Sequence, residues 1–561
     1  MNNTLSGISQ TRLRFLFYSI MTLLNFAQAW GTELFDDEAY YWMYSKFLDW
    51  GYFDHPPVIA LLIKMGTLLF PGEFGVRFFI VIIGILTIYL IEYLTKPQDL
   101  KLFYAIVLNI AILQIGGMIA VPDIALLFFT ALFFIIYQRY DLNSHLKNGF
   151  YLSVVVALLL YSKYHGILII LATLISNISL LRRPMTWGVI IFSFILFLPH
   201  VLWQANNGYP SIIYQLYGWA SSGYRLSFTT EYLLGQLLIF GPFLGWLFIW
   251  SALSLKPSNK TEKAMIWSII GVYTVFFLSS FRRGTEANWT VPLIAPLIYL
   301  SYKYLSTDHR KMKWVYRVLP YSMVLTFILR LYMFIDIPAN AFMPKDEFHG
   351  NRKWVMDVQA KAAGRHVLFT NSYQRPSKYW FYSGDTSFSL NNYGYRQNQY
   401  NLWPIESMLQ GKQAIVLGAM DTTLANDSMQ LPKLKLAIAY IDSFESHSQI
   451  MIEQESDLLY SNNNMVNTTL TFSSVSSAEI QRALIKEPEL FLIIYQKNKN
   501  EPLVINTGKK ISNQSGQQFS VNFSIPELNE KQYSIRWGLS NAMIAPTINS
   551  RLYTLVSQPV K

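Results

Sequence analysis

The sequence predicts an α-helical polytopic membrane protein with about 11 spans, followed by a C-terminal extramembrane part that joins an α/β unit to a β-rich end. Two observations lead to this fold class. The 561 residues are 52% hydrophobic and only 14% charged, which is typical of a membrane protein with a substantial part outside the bilayer. Long apolar runs recur up to about residue 340 and not after it. We therefore place a transmembrane domain at 1–340.

The apolar runs give a working count of eleven spans. A bilayer core needs about 20 apolar residues per helix, so the runs at 148–161 and 166–181 are short, and together they could form one broken helix. The predicted spans are 13–30, 75–95, 102–120, 124–138, 148–161, 166–181, 186–203, 231–252, 264–281, 288–304 and 314–336.

Lysine and arginine are unevenly distributed over the two sides of these spans. With a cytoplasmic N-terminus, the inner flanks carry 16 of them and the outer flanks 7. Positive residues concentrate on the cytoplasmic side, so we expect the N-terminus inside and the C-terminal domain outside. The inner set is Arg12, Arg14, Lys96, Lys101, Arg139, Lys147, Arg182, Arg183, Lys256, Lys260, Lys263, Lys303, Arg310, Lys311, Lys313 and Arg317, and the outer set is Lys46, Lys64, Arg77, Lys163, Arg225, Arg282 and Arg283.

The first apolar run has a second interpretation. Arg12 and Arg14, a short apolar run and the small residues Ala27 and Ala29 together resemble a signal peptide with its cleavage site. We favour a retained span, because the acidic loop that follows needs an anchor at its start.

The outer loop at 31–74 holds the densest group of chemically active residues. Asp36, Asp37 and Glu38 lie near its start, and eight aromatic residues follow before residue 55. Amphipathic rings favour the headgroup layer, so we expect this loop to lie on the bilayer surface, with its carboxylates in reach of a lipid and of a water-soluble group. The aromatic residues are Tyr40, Tyr41, Trp42, Tyr44, Phe47, Trp50, Tyr52 and Phe53.

Acidic residues at two places on the outer face are candidates for catalysis. At Asp36–Glu38, a partly desolvated carboxylate could accept a proton from an attacking hydroxyl, or the acids could merely favour the start of a helix. Asp123 lies between two apolar runs, where a carboxylate costs about 2.5–3.5 kcal/mol on insertion scales. That cost favours a functional role over its alternative, a helix cap.

Basic residues on the same face are candidates for binding a phosphate. His55 stands between Asp54 and two prolines and could contact a phosphate, or Asp54 could cap a helix whose first turn holds the prolines. Lys163, in Ser162-Lys163-Tyr164-His165, could neutralise a phosphate or extend to lipid headgroups.

A pair of basic residues follows the ninth predicted span. Arg282 and Arg283 precede Glu286 and Asn288, and arginine binds phosphate well through its paired donors. Two arginines in an outer loop also run against the usual charge distribution of membrane proteins. Together the outer acids and cations fit group transfer from a phosphate leaving group.

Composition excludes several other kinds of site. The chain has no cysteine, so disulfides, thiolate nucleophiles and thiolate metal sites are excluded. The net charge of +11 does not form one patch, so we predict no nucleic-acid partner. Histidines are scattered and no glycine-rich phosphate loop is present, so we predict neither a metal site nor another cofactor, although dependence on a divalent metal stays open.

The part after residue 340 has a different pattern. Buried strands are predicted at 366–370 and 413–417 with helices at 352–363 and 404–411, which indicates an extracytoplasmic α/β subdomain at 341–425. Short β-rich runs separated by turn residues follow, which indicates a β-rich subdomain at 426–561 with a sandwich-like form. The predicted strands there are 468–473, 489–496, 502–506, 518–524 and 532–537.

These motifs resemble a known family, the lipid-linked-sugar glycosyltransferases that include protein O-mannosyltransferases and lipid A aminoarabinose transferases, and in particular their bacterial family 39 relatives. The resemblance covers roughly 10–340, and the first two motifs are its most specific. The matching segments are 37–41 (DEAYY), 48–57 (LDWGYFDHPP), 122–123 (PD), 162–165 (SKYH), 199–204 (PHVLWQ) and 286–289 (EANW), with weaker similarity at 373–379 and 398–400.

The resemblance implies an integral-membrane glycosyltransferase type C fold and a polyprenyl-phosphate-linked sugar donor used on the outer face of a bacterial cytoplasmic (inner) membrane. By motif position, Asp37 corresponds to the essential acid of the first loop, with Glu38 beside it, and Asp123 to the second acidic position. His55 stands where some relatives have lysine, so its charge is not fixed. The acceptor would be lipid A, another glycan or a protein.

We therefore predict an inverting hexosyl or pentosyl transferase, with Asp37, Glu38 and Asp123 as catalytic residues. Lys163, Arg282, Arg283 and His55 would bind the donor phosphate. Further site candidates are Asp36, Asp54, Tyr40, Tyr164, His165, Glu286 and Asn288. The alternative is a transporter or flippase of lipid-linked saccharides, which also has many spans and charges at membrane depth.

Overall fold

The computed structural model describes residues 9–215, 224–336, 346–418, 427–431, 434–474, 482–483, 485–496, 501–511, 518–540 and 545–557. The chain divides into two compact units, Met1–His349 and Gly350–Lys561. The sequence predicted this division at 340/341. Each unit has its own hydrophobic core.

The described part of the first unit is helical. Its helices are α1 (Gln10–Gly31), α2 (Asp36–Lys46), α3 (Val58–Leu69), α4 (Gly72–Thr95), α5 (Leu100–Asn109), α6 (Ala111–Gly116), α7 (Pro122–Leu142), α8 (Leu146–Ser162), α9 (Gly166–Ser176), α10 (Pro184–Asn206), α11 (Pro210–Ile213), α12 (Leu226–Ile239), α13 (Gly245–Ser254), α14 (Lys260–Ser279), α15 (Ile294–Leu305) and α16 (His309–Phe334), with 3-10 turns at Ile178–Arg182 and Ala287–Leu293.

Each predicted span coincides with one helix or with a pair of shorter ones. The run at 102–120 divides into α5 and α6, and the run at 231–252 into α12 and α13. The stretch 148–181 forms two helices, α8 and α9, separated by residues 163–165. The apolar helix α3 was not predicted as an element, because its 12 residues are too few to cross a bilayer.

Five helices in the described part of the chain are long and apolar enough to cross a membrane, namely α4, α7, α10, α14 and α16. Shorter apolar helices accompany them, including α8 and α9. The main core contains residues of most of the helices between α1 and α16 and is built mainly of leucine, isoleucine, phenylalanine and tyrosine. Of these five helices α7 is the most buried within the protein, with 72% of its most apolar 18-residue stretch buried.

The second unit begins with a five-stranded sheet. Its helices are α17 (Asn351–Ala362), α18 (Gln374–Ser383) and α19 (Ile405–Leu409), and its strands are β1 (His366–Thr370), β2 (Ser387–Leu390), β3 (Ala414–Gly418), β4 (Asp427–Leu431) and β5 (Leu434–Ile441). The strand order is β2-β1-β3-β5-β4, with β1 parallel to β2 and β3, and β5 antiparallel to β3. The α/β sheet therefore extends to Ile441, past the predicted limit at 425.

The rest of the second unit is a β structure around one core. Its strands are β6 (Ile450–Gln454), β7 (Leu458–Asn462), β8 (Met465–Ser474), β9 (Glu489–Tyr495), β10 (Leu503–Lys510), β11 (Gln518–Ser524), β12 (Gln532–Ser540) and β13 (Tyr553–Ser557). Seven of them follow the order β10-β9-β12-β13-β7-β8-β11, and β6 pairs with β8. The hydrogen bonds join all eight into one sheet, where the sequence suggested a sandwich.

Candidate functional site

The first outer segment begins with a helix whose first turn holds all three predicted acids. Asp36, Asp37 and Glu38 open α2, and the backbone N–H of Phe35 donates to Glu38 Oε2 at 3.0 Å. Acidic side chains are stabilised at a helix start by the unpaired N–H groups and the helix dipole. Asp36 and Asp37 are half-buried, whereas Glu38 is buried.

Glu38 forms an ion pair with Arg77 of α4. The Arg77 Nε and Nη2 atoms donate to the two Glu38 oxygens at 2.7 and 2.5 Å, and neither side chain is exposed. Arg77 also donates to the backbone carbonyls of Ala29, Thr32 and Glu33. Glu38 therefore fixes the start of α2 and compensates a buried charge, so the geometry gives it a positioning role, and its catalytic role stays a prediction.

Glu38 also reaches the segment that precedes α7. The backbone N–H of Ala120 donates to Glu38 Oε1 at 2.7 Å. This bond brings the first turn of α2, which carries Asp37, next to the segment that leads into Asp123. The two predicted catalytic acids thus lie on adjoining segments, although they are far apart in sequence.

The aromatic residues of the outer loop pack inside the protein. Tyr40, Tyr41, Trp42, Tyr44, Tyr52 and Phe53 are all buried, and the Tyr44 and Tyr52 rings stack with centroids 4.0 Å apart. Trp50 is 57% exposed. Most of these rings therefore contact protein in place of lipid headgroups, and they support the acidic turn. The depth of this loop in the bilayer stays a prediction.

Asp54 binds tyrosine hydroxyls of α2. The hydroxyls of Tyr40 and Tyr44 lie 3.0 and 3.3 Å from Asp54 Oδ2. The alternative role for Asp54, a cap on the next helix, is excluded because α3 begins only at Val58 after Pro57. His55 follows, half-buried, with its ring 5.5 Å from that of Tyr41.

Asp123 pairs with Lys163. Lys163 Nζ lies 2.8 Å from Asp123 Oδ1, and the two residues are only 5% and 4% exposed. Asn288 donates from Nδ2 to the other Asp123 oxygen at 3.3 Å. Asp123 stands in the first turn of α7 after Pro122, and Lys163 fills the break between α8 and α9. Three of the predicted site residues therefore meet.

His165 lies beside this cluster, among aromatic rings. Its ring is 5.0 Å from Phe276 and 5.3 Å from Trp289, measured between centroids. Burial holds the pKa of His165 well below its usual range, and the positive charges of Lys163, His55 and Arg283 lower it further. Its Nδ1 atom is buried without a hydrogen-bond partner among the residues that the structure describes.

Arg283 belongs to the same group of cations. Its guanidinium lies over the Trp289 ring at 5.3 Å and donates to the backbone carbonyl of Gln215 at 3.0 Å. Burial lowers the pKa of Arg283. Arg282 and Glu286 are exposed, whereas Arg283 is half-buried. The structure thus separates Arg283 from its neighbour Arg282.

Tyr164 occupies the centre of a polar network that joins three of the motif segments. Its hydroxyl lies 3.0 Å from His200 Nε2, 2.9 Å from Ser211 Oγ and 2.9 Å from Gln204 Nε2. His200 Nδ1 lies 2.8 Å from the Trp50 carbonyl, which can only accept, so Nδ1 carries the hydrogen. Burial and the nearby charge of Asp54 raise the pKa of Tyr164.

The site therefore consists of an acidic turn and a cationic group. The acidic turn is Asp36 and Asp37, held by Glu38 and Arg77. The cationic group is Lys163, His55 and Arg283 around the neutral His165, with Asp123 bound to the lysine and Asn288 bound to Asp123. The roles of Arg77, His200 and Trp289 were not predicted from the sequence. Arg77 had a usable signal, because an arginine among apolar residues of a span requires an acidic partner.

Comparison with known proteins identifies the family that this site resembles. The family model described as dolichyl-phosphate-mannose-protein mannosyltransferase matches residues 54–203. A lipid A galacturonosyltransferase, RgtD of Rhizobium johnstonii, is 24% identical over 289 residues, which are 48% of this chain and 60% of that protein. The match therefore spans less than two thirds of the relative's length. These findings confirm the resemblance to lipid-linked-sugar glycosyltransferases.

Solved structures support the fold. ArnT from Cupriavidus metallidurans bound to undecaprenyl phosphate superposes with a TM-score of 0.55 at 12% identity, covering 77% of this chain and 98% of that one. Its apo form gives a TM-score of 0.57 at 14% identity, covering 76% and 98%. The predicted fold, an integral-membrane glycosyltransferase type C fold with an extramembrane C-terminal part, is confirmed, and with it the location in a membrane.

Proposed function

We propose that this protein is an inverting glycosyltransferase that moves a sugar from a polyprenyl-phosphate donor to an acceptor outside the cytoplasm. It would reside in a bacterial inner membrane with its N-terminus in the cytoplasm and its second unit outside. The acceptor atom would be a hydroxyl or phosphate oxygen. The match to a lipid A glycosyltransferase favours lipid A over protein or another glycan as the acceptor.

The cationic group is the observation that carries this proposal. Lys163, Arg283 and His55 all act electrostatically on the buried His165, and Asp123 is the acidic residue bound to Lys163. Of the two permanent positive charges, Lys163 is paired with Asp123, whereas Arg283 has no ion-pair partner among the described residues. A phosphate of the donor would supply the missing negative charge, and in a partly dry site such an interaction is much stronger than in water.

His165 adds a directional contact to this site. It is neutral at ordinary pH because its pKa is depressed, and its buried Nδ1 lacks a hydrogen-bond partner in the described part of the chain. A neutral imidazole with Nδ1–H can donate to a phosphate oxygen. The buried nitrogen would then gain the partner that buried polar atoms normally have.

The reaction would be a single displacement. The acceptor oxygen would attack the anomeric carbon while the bond from that carbon to the phosphate oxygen breaks. Asp37 would take the proton of an acceptor hydroxyl as general base. The polyprenyl phosphate would leave with its negative charge beside Lys163 and Arg283. One displacement inverts the configuration at the anomeric carbon.

The transporter alternative has less support. The relatives found by comparison are glycosyltransferases by description. The half-buried acidic turn gives an attacking hydroxyl a nearby base, which transport does not require. Sugar transfer by the purified protein in detergent would distinguish the two functions, because transport has no meaning without a closed bilayer.

Binding of the lipid phosphate tests the cationic group separately from the identity of the sugar. Undecaprenyl phosphate would be titrated into the detergent-purified full chain and followed by native mass spectrometry. We expect Lys163→Gln to weaken binding at least tenfold. Lys263→Gln, an exposed lysine of α14, is the matched control and should bind like the wild type. Equal binding by the two variants would contradict the proposal.

Sugar-transfer assays test the catalytic role of the acidic turn. Asp37→Asn should reduce transfer from a panel of undecaprenyl-phosphate-linked sugars to lipid A by about a hundredfold or more, a typical loss for a general base. Binding of undecaprenyl phosphate should be retained. Glu231→Gln, an exposed acid of α12, provides the control. Unchanged transfer by Asp37→Asn would remove Asp37 from the mechanism.

A further inference from the structure

A second group of potential ligands lies at the end of α16, outside the site described above. Asp336, Asp346 and His349 each offer one ligand atom, and these atoms all lie within 4.8 Å of one another. The three residues belong to the first unit. No metal site was predicted here from the sequence, because the ligands come from two segments that are separated along the chain.

His349 is the central member of this group. Its Nδ1 atom lies 3.0 Å from both carboxylate oxygens of Asp346. Its side chain is only 8% exposed, and its Nε2 atom is buried without a hydrogen-bond partner among the described residues. A buried imidazole nitrogen without a partner is uncommon. The ring therefore retains an unused binding capacity within a carboxylate cluster.

The surrounding charges are negative. The hydroxyl of Tyr332 is hydrogen bonded to Asp346, and Asp336 and Glu347 lie near enough to act on it electrostatically. The Tyr332 and His349 rings meet edge to face, with centroids 5.3 Å apart. Three carboxylates thus surround one tyrosine, and a divalent cation would relieve their mutual repulsion.

We propose that Asp336, Asp346 and His349 bind one divalent cation, and that Zn²⁺ fits this ligand set best. Their three ligand atoms lie within 4.8 Å of one another, so small side-chain rotations would bring them to about 2.1 Å from one ion. Imidazole disfavours Ca²⁺ and Mg²⁺, whereas it suits zinc. Three protein ligands leave a fourth position for water. Tyr332 would orient the Asp346 carboxylate from outside the site.

The ion would connect two segments of the first unit next to the acidic turn. Asp336 follows the last residues of α16, and Phe348 stacks on Phe35 with centroids 5.6 Å apart. Phe35 is the residue before α2. Binding would therefore restrain the segment that packs against the start of α2. Since this effect is on structure, it does not depend on which sugar or acceptor the protein uses.

The test uses the full chain, purified in detergent through a tag without histidine and stripped with a chelator. Isothermal titration with Zn²⁺ should give about one site per chain, and thermal unfolding should shift upward on binding. We expect His349→Gln and Asp336→Asn each to weaken zinc binding at least tenfold. Ca²⁺ at the same concentration should give no saturable binding.

His309→Gln is the matched control, because His309 is an exposed histidine at the opposite end of α16. It should bind zinc like the wild type. Asp336 is exposed, so Asp336→Asn should fold normally and decide the test even if His349→Gln does not fold. Wild-type zinc affinity in Asp336→Asn, or no saturable zinc binding by the wild type, would overturn the proposal. Failure of sugar transfer would not affect it, since the readout is zinc binding.

Discussion

Arg77 and Glu38 form an ion pair in which both side chains are completely buried and both carboxylate oxygens accept from the guanidinium. The pair joins α4 to the first turn of α2, one residue from Asp37. Buried charges of this kind add little net stability, but each is costly without the other. Their value here is that they fix where the acidic turn stands.

A double-mutant cycle tests this role. Glu38→Gln and Arg77→Gln should each lower stability by about 3–5 kcal/mol, because each leaves one buried charge without its partner. The double variant should be more stable than the sum of the two losses predicts. Thermal unfolding, followed by tryptophan fluorescence, measures the relative stability of the wild type, the two single variants and the double variant. Additive losses would contradict a direct coupling between the two residues.

The positions of the spans could be predicted from the sequence, because a membrane span raises the hydropathy averaged over about 20 residues. Their interruptions could not. The break between α5 and α6 at Ile110, and the division of 231–252 into α12 and α13, depend on packing against other helices. α3 was not predicted for a related reason. Its 12 apolar residues are too few to form an apolar run long enough to cross a bilayer.

Most residues of the site could be predicted from the sequence, but the contacts between them could not. The motifs selected Asp123, Lys163 and Asn288, yet nothing in their spacing shows that both Asp123 oxygens are used by the other two. Arg282 and Arg283 are adjacent in sequence, and only Arg283 is held in the cluster by Trp289 and the Gln215 carbonyl. Such distinctions depend on side-chain direction, which a sequence motif does not contain.

Gly51 provides a prediction about the outer loop. A Cβ atom at this position would lie 2.5 Å from Trp203 Cε3 and 2.8 Å from His200 Nδ1, which is closer than packed atoms approach. Gly51→Ala should therefore displace the loop from α10 and lower both stability and transfer. Gly188→Ala is the matched control, since no atom lies within 4 Å of its added Cβ. Alanine there should be neutral or should stabilise α10 by up to about 1 kcal/mol.

Tyr164→Phe tests the polar network. The change removes the hydroxyl that lies within 3.0 Å of His200, Gln204 and Ser211, so buried polar atoms lose a partner at a cost of about 1–3 kcal/mol. The thermal unfolding temperature should fall by several degrees. Tyr321→Phe should leave it unchanged, because Tyr321 is 66% exposed. An equal effect of both substitutions would contradict the network.

The lowered pKa of His165 predicts how the free energy of unfolding depends on pH. The folded pKa is lowered by burial and by the charges of Lys163, His55 and Arg283, whereas an unfolded histidine titrates near 6.5. The unfolded state therefore binds the extra proton first, so this contribution to stability is complete above about pH 6.5 and is lost as the pH falls, by up to about 1.4 kcal/mol per pH unit.

His165→Phe should remove that contribution, because phenylalanine keeps the ring contacts to Phe276 and Trp289 and cannot be protonated. Unfolding temperatures measured from pH 8 to pH 5 should fall more steeply for the wild type than for this variant. His309→Gln, at an exposed position, should follow the wild-type curve. Parallel curves for the wild type and His165→Phe would mean that His165 is protonated as easily in the folded as in the unfolded state, and the neutral phosphate donor assigned to it would then be lost.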